Sequence, residues 1–246
     1  MTTSVNRSFL PKKFQILSGS TLKIIAMLIM LIDHSGYALL NNYPPAKEIL
    51  FTFNEKSYTM YQISRDIGRM AFPIFAFLLV EGFIHTRNRL KYGCSLFLFA
   101  CISELPWNYE HTGTLYYDIQ NVYFTLFLGY LAFCAIEYFW ENQTMQLICL
   151  LALFAVAYYL KADYGWKGYI FLLIMYWFRN EGASQAIIGS CWLHYEWKAC
   201  FAFPLINMYN GERGFIKGKA SKYIFYAFYP VHIAILGILK YKFFVA

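Results

Sequence analysis

The run LKIIAMLIMLIDHSGYALL, Leu22–Leu40, constrains this chain more than any other stretch in it. A helix needs about 20 mostly apolar residues to cross the hydrocarbon core of a bilayer, and this run supplies them. Eight further apolar runs follow: Arg69–His85, Gly93–Leu105, Asn121–Trp140, Met145–Leu160, Trp166–Phe178, Ala183–Leu193, Ala199–Tyr209 and Tyr223–Tyr241. They are continuous rather than alternating, which argues against a β-barrel. Of the 246 residues 59% are apolar and 14% charged, against roughly 25% charged in a soluble domain. A water-soluble globule of this size would be left with large apolar patches. The expected fold is all-α: a polytopic transmembrane helical bundle of about nine membrane segments, forming one domain over residues 1–246. Several runs fall short of a full span, so they must tilt or borrow flanking aromatic residues.

The charge of +7 does not point to nucleic acid. The Lys and Arg residues sit in short loops between apolar runs, the pattern that sets membrane topology. With the N-terminus cytoplasmic, nine crossings keep Arg87, Arg89, Lys91, Arg179, Arg213, Lys217, Lys219 and Lys222 inside. The expected location is the bacterial cytoplasmic membrane. The first run ends in Asp33-His34 rather than at a small-residue cleavage site, so we expect it to remain in the mature chain. The six cysteines form no CxxC pair and read as small buried hydrophobes.

Ionisable groups inside apolar segments are costly and mark function by default. Here they are Asp33, His34, Arg69, Glu81, Glu104, Glu137, Asp163, His194 and His232. Lys23 and His34 stand eleven residues apart, close to three helical turns, so they share one face about 16 Å apart along the axis. A cation at one end and an imidazole deeper in suit an elongated anionic ligand whose reactive end meets the histidine. A snorkelling lysine and a hydrogen-bonded core histidine would fit the same spacing. Arg69 enters the second run from the outer side, and Pro73 is expected to kink it. Glu81 has His85 one turn away. Glu104 precedes Pro106, where the third run is expected to stop. His232 follows Pro230 inside the last run. The loop YNGERG, residues 209–214, has glycines and Arg213 suited either to phosphates or to a plain cytoplasmic turn. No local spacing supports a metal site.

Taken together, LKIIAMLIMLIDH, GRMAFPIFAFLLVEGF, ISELPWN, NVYFTLFLGY, ADYGWKGY, YNGERG and YIFYAFYPVHIAIL resemble the TraX family over nearly the whole length and in the same order. That family is named for a protein that N-acetylates F-type pilin. It looks like a distant relative of membrane acyltransferases that carry a basic residue and a histidine eleven apart on their first helix. Lys23 and His34 match that spacing, with Lys in place of the more usual Arg.

The resemblance implies an acetyl-CoA-dependent acetyltransferase whose donor is cytoplasmic and whose acceptor, a peptide N-terminus or an envelope sugar, reaches the histidine from the other side through a tunnel. Membrane lipid is the expected medium, and the composition, loop charges and absent ligand spacing lead us to expect neither metal nor nucleic acid as partner. His34 is the expected general base, with Asp33, Arg69, Glu104 and His232 as the other catalytic candidates. Lys23, Arg213, Lys217 and Glu81 are the expected cofactor-binding set. A proton-coupled transporter and a non-catalytic membrane scaffold are the competing readings.

Overall fold

The computed structural model describes residues 7–216 and 218–245. Among the described residues ten α-helices follow one another: α1 (Gly19–Ala38), α2 (Met60–Gly68), α3 (Ala71–His85), α4 (Arg89–Thr112), α5 (Val122–Tyr138), α6 (Gln143–Tyr159), α7 (Gly165–Trp177), α8 (Gly182–Trp192), α9 (Ala202–Asn207) and α10 (Lys219–Phe243). The helix starts are chemically marked. Side chains of Ser18, Thr59, Asn88, Asn121 and Asn142 accept hydrogen bonds from the first free backbone amides of α1, α2, α4, α5 and α6. At α2 the Gln62 side chain returns the favour to the Thr59 amide, completing a capping box. Gly113, at φ 71°, ends α4 in the left-handed conformation that glycine adopts without strain.

Each expected apolar run contains a helix, yet nine crossings are not supported. Among the described residues three helical stretches are long and apolar enough to span a membrane: Gly19–Asn42, Met60–His85 and Tyr223–Phe243. Helices α7, α8 and α9 have 13, 11 and 6 residues, too short to span alone at 1.5 Å per residue. The fold is also not purely helical. The polar stretch after α1 holds a hairpin of β1 (Ile49–Phe53) and β2 (Lys56–Thr59), paired antiparallel with Thr52 opposite Ser57. Asn54 and Glu55 both take positive φ at its tip, as a tight two-residue hairpin turn requires.

Helix α3 is the centre. It is buried from Ala71 to Phe83 on nearly every side and packs on α1, α5, α7 and α9. Phe77, Phe83, Phe133, Phe171 and Tyr176 fill the space around it. Leu28, Leu98, Leu151, Val231 and Ile235 face outward and are exposed, an apolar belt of the kind lipid requires. The α1–α2 crossing is very close. A Cβ on Gly36 would fall 2.0 Å from Ser64 Oγ, and one on Gly68 2.1 Å from Asp33 Oδ1. These pairings run the two helices antiparallel.

The prolines act differently from expectation. Pro73 lies in the first turn of α3, where a missing N–H costs little, and Arg69 and Met70 just before it keep helical backbone angles between α2 and α3. Pro106 does not end the third run; α4 continues through it to Thr112. Pro230 lies inside α10 and frees the Tyr226 carbonyl four residues earlier, and Tyr123 Oη of α5 donates to that carbonyl at 3.3 Å. Tyr123→Phe should therefore destabilise the protein by about 1–3 kcal/mol, read as a lowered melting midpoint in detergent micelles, whereas Tyr138→Phe, on the exposed end of α5, should leave it unchanged.

Candidate functional site

Three helices, α1, α4 and α10, run in the same direction and meet along one seam. Lys23 lies over the Phe225 ring near its start, Phe99 stacks on Tyr226, and further along His34 faces His232 while Lys240 reaches Glu110. Lys23 and His34 thus both face α10.

At the far end of the seam a polar cluster is closed in by aromatic rings. The His34 ring stands edge-on to His232 at 5.1 Å, to Tyr229 at 6.0 Å and to Trp107 at 6.3 Å between centroids. Glu110 of α4 is fully buried, with Oε1 4.0 Å from His34 Nδ1. His111 packs on Trp107, Tyr37 and Tyr117, with Nδ1 3.0 Å from Glu110 Oε2. Lys240 donates to the Glu110 backbone carbonyl at 2.6 Å and lies over the rings of Tyr37 and Tyr241.

The protons can be partly assigned. His232 Nδ1 lies 2.7 Å from the Phe228 carbonyl, which can only accept, so Nδ1 carries the hydrogen. In the neutral ring Nε2 then presents a bare lone pair, and it is buried without a partner. His34 Nδ1, Glu110 Oε1 and Tyr229 Oη also lack hydrogen-bond partners. Buried polar groups are seldom left unmet; four side chains left so in one place define a site shaped for hydrogen-bonding contents.

Asp33 points away from this cluster, about 100° around α1, into a belt of charge. Arg65 Nη1 meets Asp33 Oδ1 at 2.7 Å, and Arg69 Nη1 meets Glu196 Oε1 at 3.1 Å. The Arg69 charge also acts on Tyr164, whose ring stacks on Phe72 at 3.9 Å. Asp163, in the loop between α6 and α7, joins the belt: burial pushes its carboxyl up to about 6, opposed by a hydrogen bond from the Tyr164 amide and by the Arg69 charge.

The other expected residues lie elsewhere. Glu104 accepts from Asn121 Nδ2 at 2.6 Å and so ties α4 to the start of α5. Glu81 Oε1 pairs with Arg7 at 2.7 Å and so holds the N-terminal segment against α3, while Oε2 pairs with His85 one turn on, at 3.4 Å. Loop 209–214 is a strap over the start of α1. Glu212 and Arg213 carbonyls accept from the Gly19 and Ser20 amides at 2.8 and 3.0 Å, while the Arg213 residue itself is exposed. Lys217 lies outside the described residues. Glu110, His111 and Lys240 were not anticipated; the hydrophobic count ended the third run at Pro106, and only one more helical turn would have brought Glu110 into view.

These features define a class: a helical membrane protein with an imidazole–carboxylate site inside its bundle. The chain belongs to the TraX family, whose model, described as TraX protein, matches residues 18–240. It is similar to a protein of Dichelobacter nodosus named probable fimbrial assembly protein FimC, serogroup H1, at 29% identity over 89% of this chain and 94% of that one. No solved structure matches the chain.

The Asp33–Arg65 pair offers a direct check on the belt. In a double-mutant cycle, Asp33→Asn and Arg65→Met should each destabilise the fold, with a coupling between them of about 0.5–3 kcal/mol, measured by unfolding in detergent; strict additivity would mean the pair contributes nothing.

Proposed function

We propose that this protein is a membrane-embedded acetyltransferase that moves an acetyl group from cytoplasmic acetyl-CoA to an acceptor amine or hydroxyl, with the N-terminal amine of a surface-appendage subunit as the favoured acceptor. Family membership and the fimbrial name of the relative from Dichelobacter nodosus support that choice of acceptor. The observation that carries the reading is the facing pair of His34 and His232, their rings 5.1 Å apart, with His34 Nδ1 and His232 Nε2 buried and unpartnered.

In this reading the N-terminus is cytoplasmic, and Lys23 with Arg213 and Lys217 meets the CoA phosphates as point and fork cations. A passage along the α1–α10 seam carries the thioester arm to His34. The acceptor amine enters from the other face, past the belt of Asp33, Arg69 and Glu196. It donates one N–H to the lone pair of His232 Nε2, which holds it in place. His34 removes the proton from the attacking nitrogen as that nitrogen bonds to the thioester carbonyl carbon. The C–S bond then breaks, and the imidazolium returns the proton to the departing CoA sulfur. One amide and one CoA thiol leave, and both histidines return to their starting state. Acetyl-CoA is the donor substrate, and no metal enters the scheme.

Loss of a positioned general base costs ~10²–10⁴-fold in rate. His34→Ala in nanodiscs should lower kcat for CoA-thiol release with a pilin-type peptide by that much, while CoA still raises the melting midpoint. Activity close to that of the unaltered protein would remove His34 from the mechanism. Neutralising Lys23 and Arg213 together should raise KM for acetyl-CoA more than it lowers kcat, because phosphate contacts bind ground and transition states alike. A short acetyl thioester lacking the nucleotide should not respond to that change; equal losses with both donors would refute the phosphate grip.

A further inference from the structure

We propose that Glu110 is a positioning residue: its carboxylate accepts the Nδ1–H of His34, fixing the tautomer in which His34 Nε2 is the free base. The geometry carries this. Glu110 is fully buried; its Oε2 lies 3.0 Å from His111 Nδ1, while Oε1, the oxygen toward His34, has no hydrogen-bond partner. His34 Nδ1 is likewise buried and unpartnered, and the gap between Nδ1 and Oε1 is 4.0 Å. A donor and an acceptor that each lack a partner, facing one another across about 1 Å more than a hydrogen bond, describe a contact that closes when the site fills; catalytic hydrogen bonds are commonly long before substrate binds.

The neighbours leave this role to Glu110. From α10, His232 Nδ1 is committed to the Phe228 carbonyl and Lys240 Nζ to the Glu110 backbone carbonyl. From α4, His111 Nδ1 lies 2.9 Å from the Trp107 carbonyl, which fixes its own hydrogen there. From α1, Tyr37 packs on His111 and under Lys240. Tyr229 presents a hydroxyl to the same space. Glu110 is the carboxylate that faces His34 in this set, and the two imidazoles therefore receive their tautomers from different sources. A backbone carbonyl sets His232 permanently. A side chain sets His34, and a side chain can move.

The kinetic arm of the test rests on the acetyltransferase reading, whereas the spectroscopic arm does not. Nitrogen-15 labelling of the histidines in nanodisc-embedded protein reports which ring nitrogen carries the proton. The expected result is Nδ1–H for His34 in the unaltered protein and a mixture of tautomers in Glu110→Gln, whose amide can donate as well as accept. With acetyl-CoA and peptide, Glu110→Gln should lower kcat about 10²-fold and change KM by less than ~3-fold, and Glu110→Asp should recover part of the rate. A His34 ring protonated on Nε2 in the unaltered protein overturns the proposal without any variant, as does an unchanged tautomer in Glu110→Gln. Recovery of the full rate on adding Lys240→Met to Glu110→Gln would also overturn it, by reducing Glu110 to a counter-charge for Lys240. If the unaltered protein transfers no acetyl group at all, the proposed function fails while the tautomer result still decides the role of Glu110.

Discussion

An apolar bundle in lipid has no water to spare for a stranded polar group, so every hydrogen bond that the helices do not make for themselves must be met by a side chain. Much of this structure can be read as the consequence. The carbonyl freed by Pro230 is met by Tyr123, the amides opening α1 by the carbonyls of the 209–214 strap, and the Gln185 amide by the Met175 carbonyl. Where partners are found so consistently, the places where they are withheld stand out. His34, Glu110, Tyr229 and His232 are such a place. The surrounding rings of Trp107 and Phe228 pack against the two histidines, and His111 against Trp107, without meeting these hydrogen-bonding needs.

The sequence carried the helical segments well, because α1, α5 and α6 begin at a capping Ser or Asn and α7, α8 and α10 begin at or just after a glycine. It did not carry how many of them span. Length separates the stretches Gly19–Asn42, Met60–His85 and Tyr223–Phe243 from α7, α8 and α9, but continuous hydrophobicity appears equally in both kinds. The hairpin was invisible for another reason. Its turn is Asn54-Glu55 rather than a glycine pair, and its strands expose Ile49, Phe51 and Phe53, so no alternation announces them. Helix α2 was hidden in the same polar stretch, although its capping box is plain once Thr59 and Gln62 are read together.

At the site, the eleven-residue interval put Lys23 and His34 on the face toward α10, and the unexplained histidine of the last run is the partner of His34. Glu110 was lost through a local rule. A proline after a carboxylate usually marks a helix end, yet α4 is held through Pro106 by its packing on α10, and tertiary contacts outweighed the local preference. Asp33 and His34 are neighbours in sequence and strangers in space; adjacent helical positions diverge by about 100°, which sends one into an ion-pair belt and the other into the histidine cluster.

The shared direction of α1, α4 and α10 has an electrical meaning. Each helix carries roughly half a positive charge at its first turn and half a negative charge at its last. In an antiparallel bundle these ends alternate and cancel between neighbours. Around the seam they do not: three positive ends gather near Lys23, and three negative ends lie beyond His34 and Lys240, in a medium that screens them poorly. Helices α3 and α5 offset part of this from outside, but a molecule lying along the seam experiences a standing voltage built into the backbone. Such a molecule is held more firmly with its anionic end toward Lys23 and its cationic or neutral end toward the histidines, whatever side chains later refine the fit.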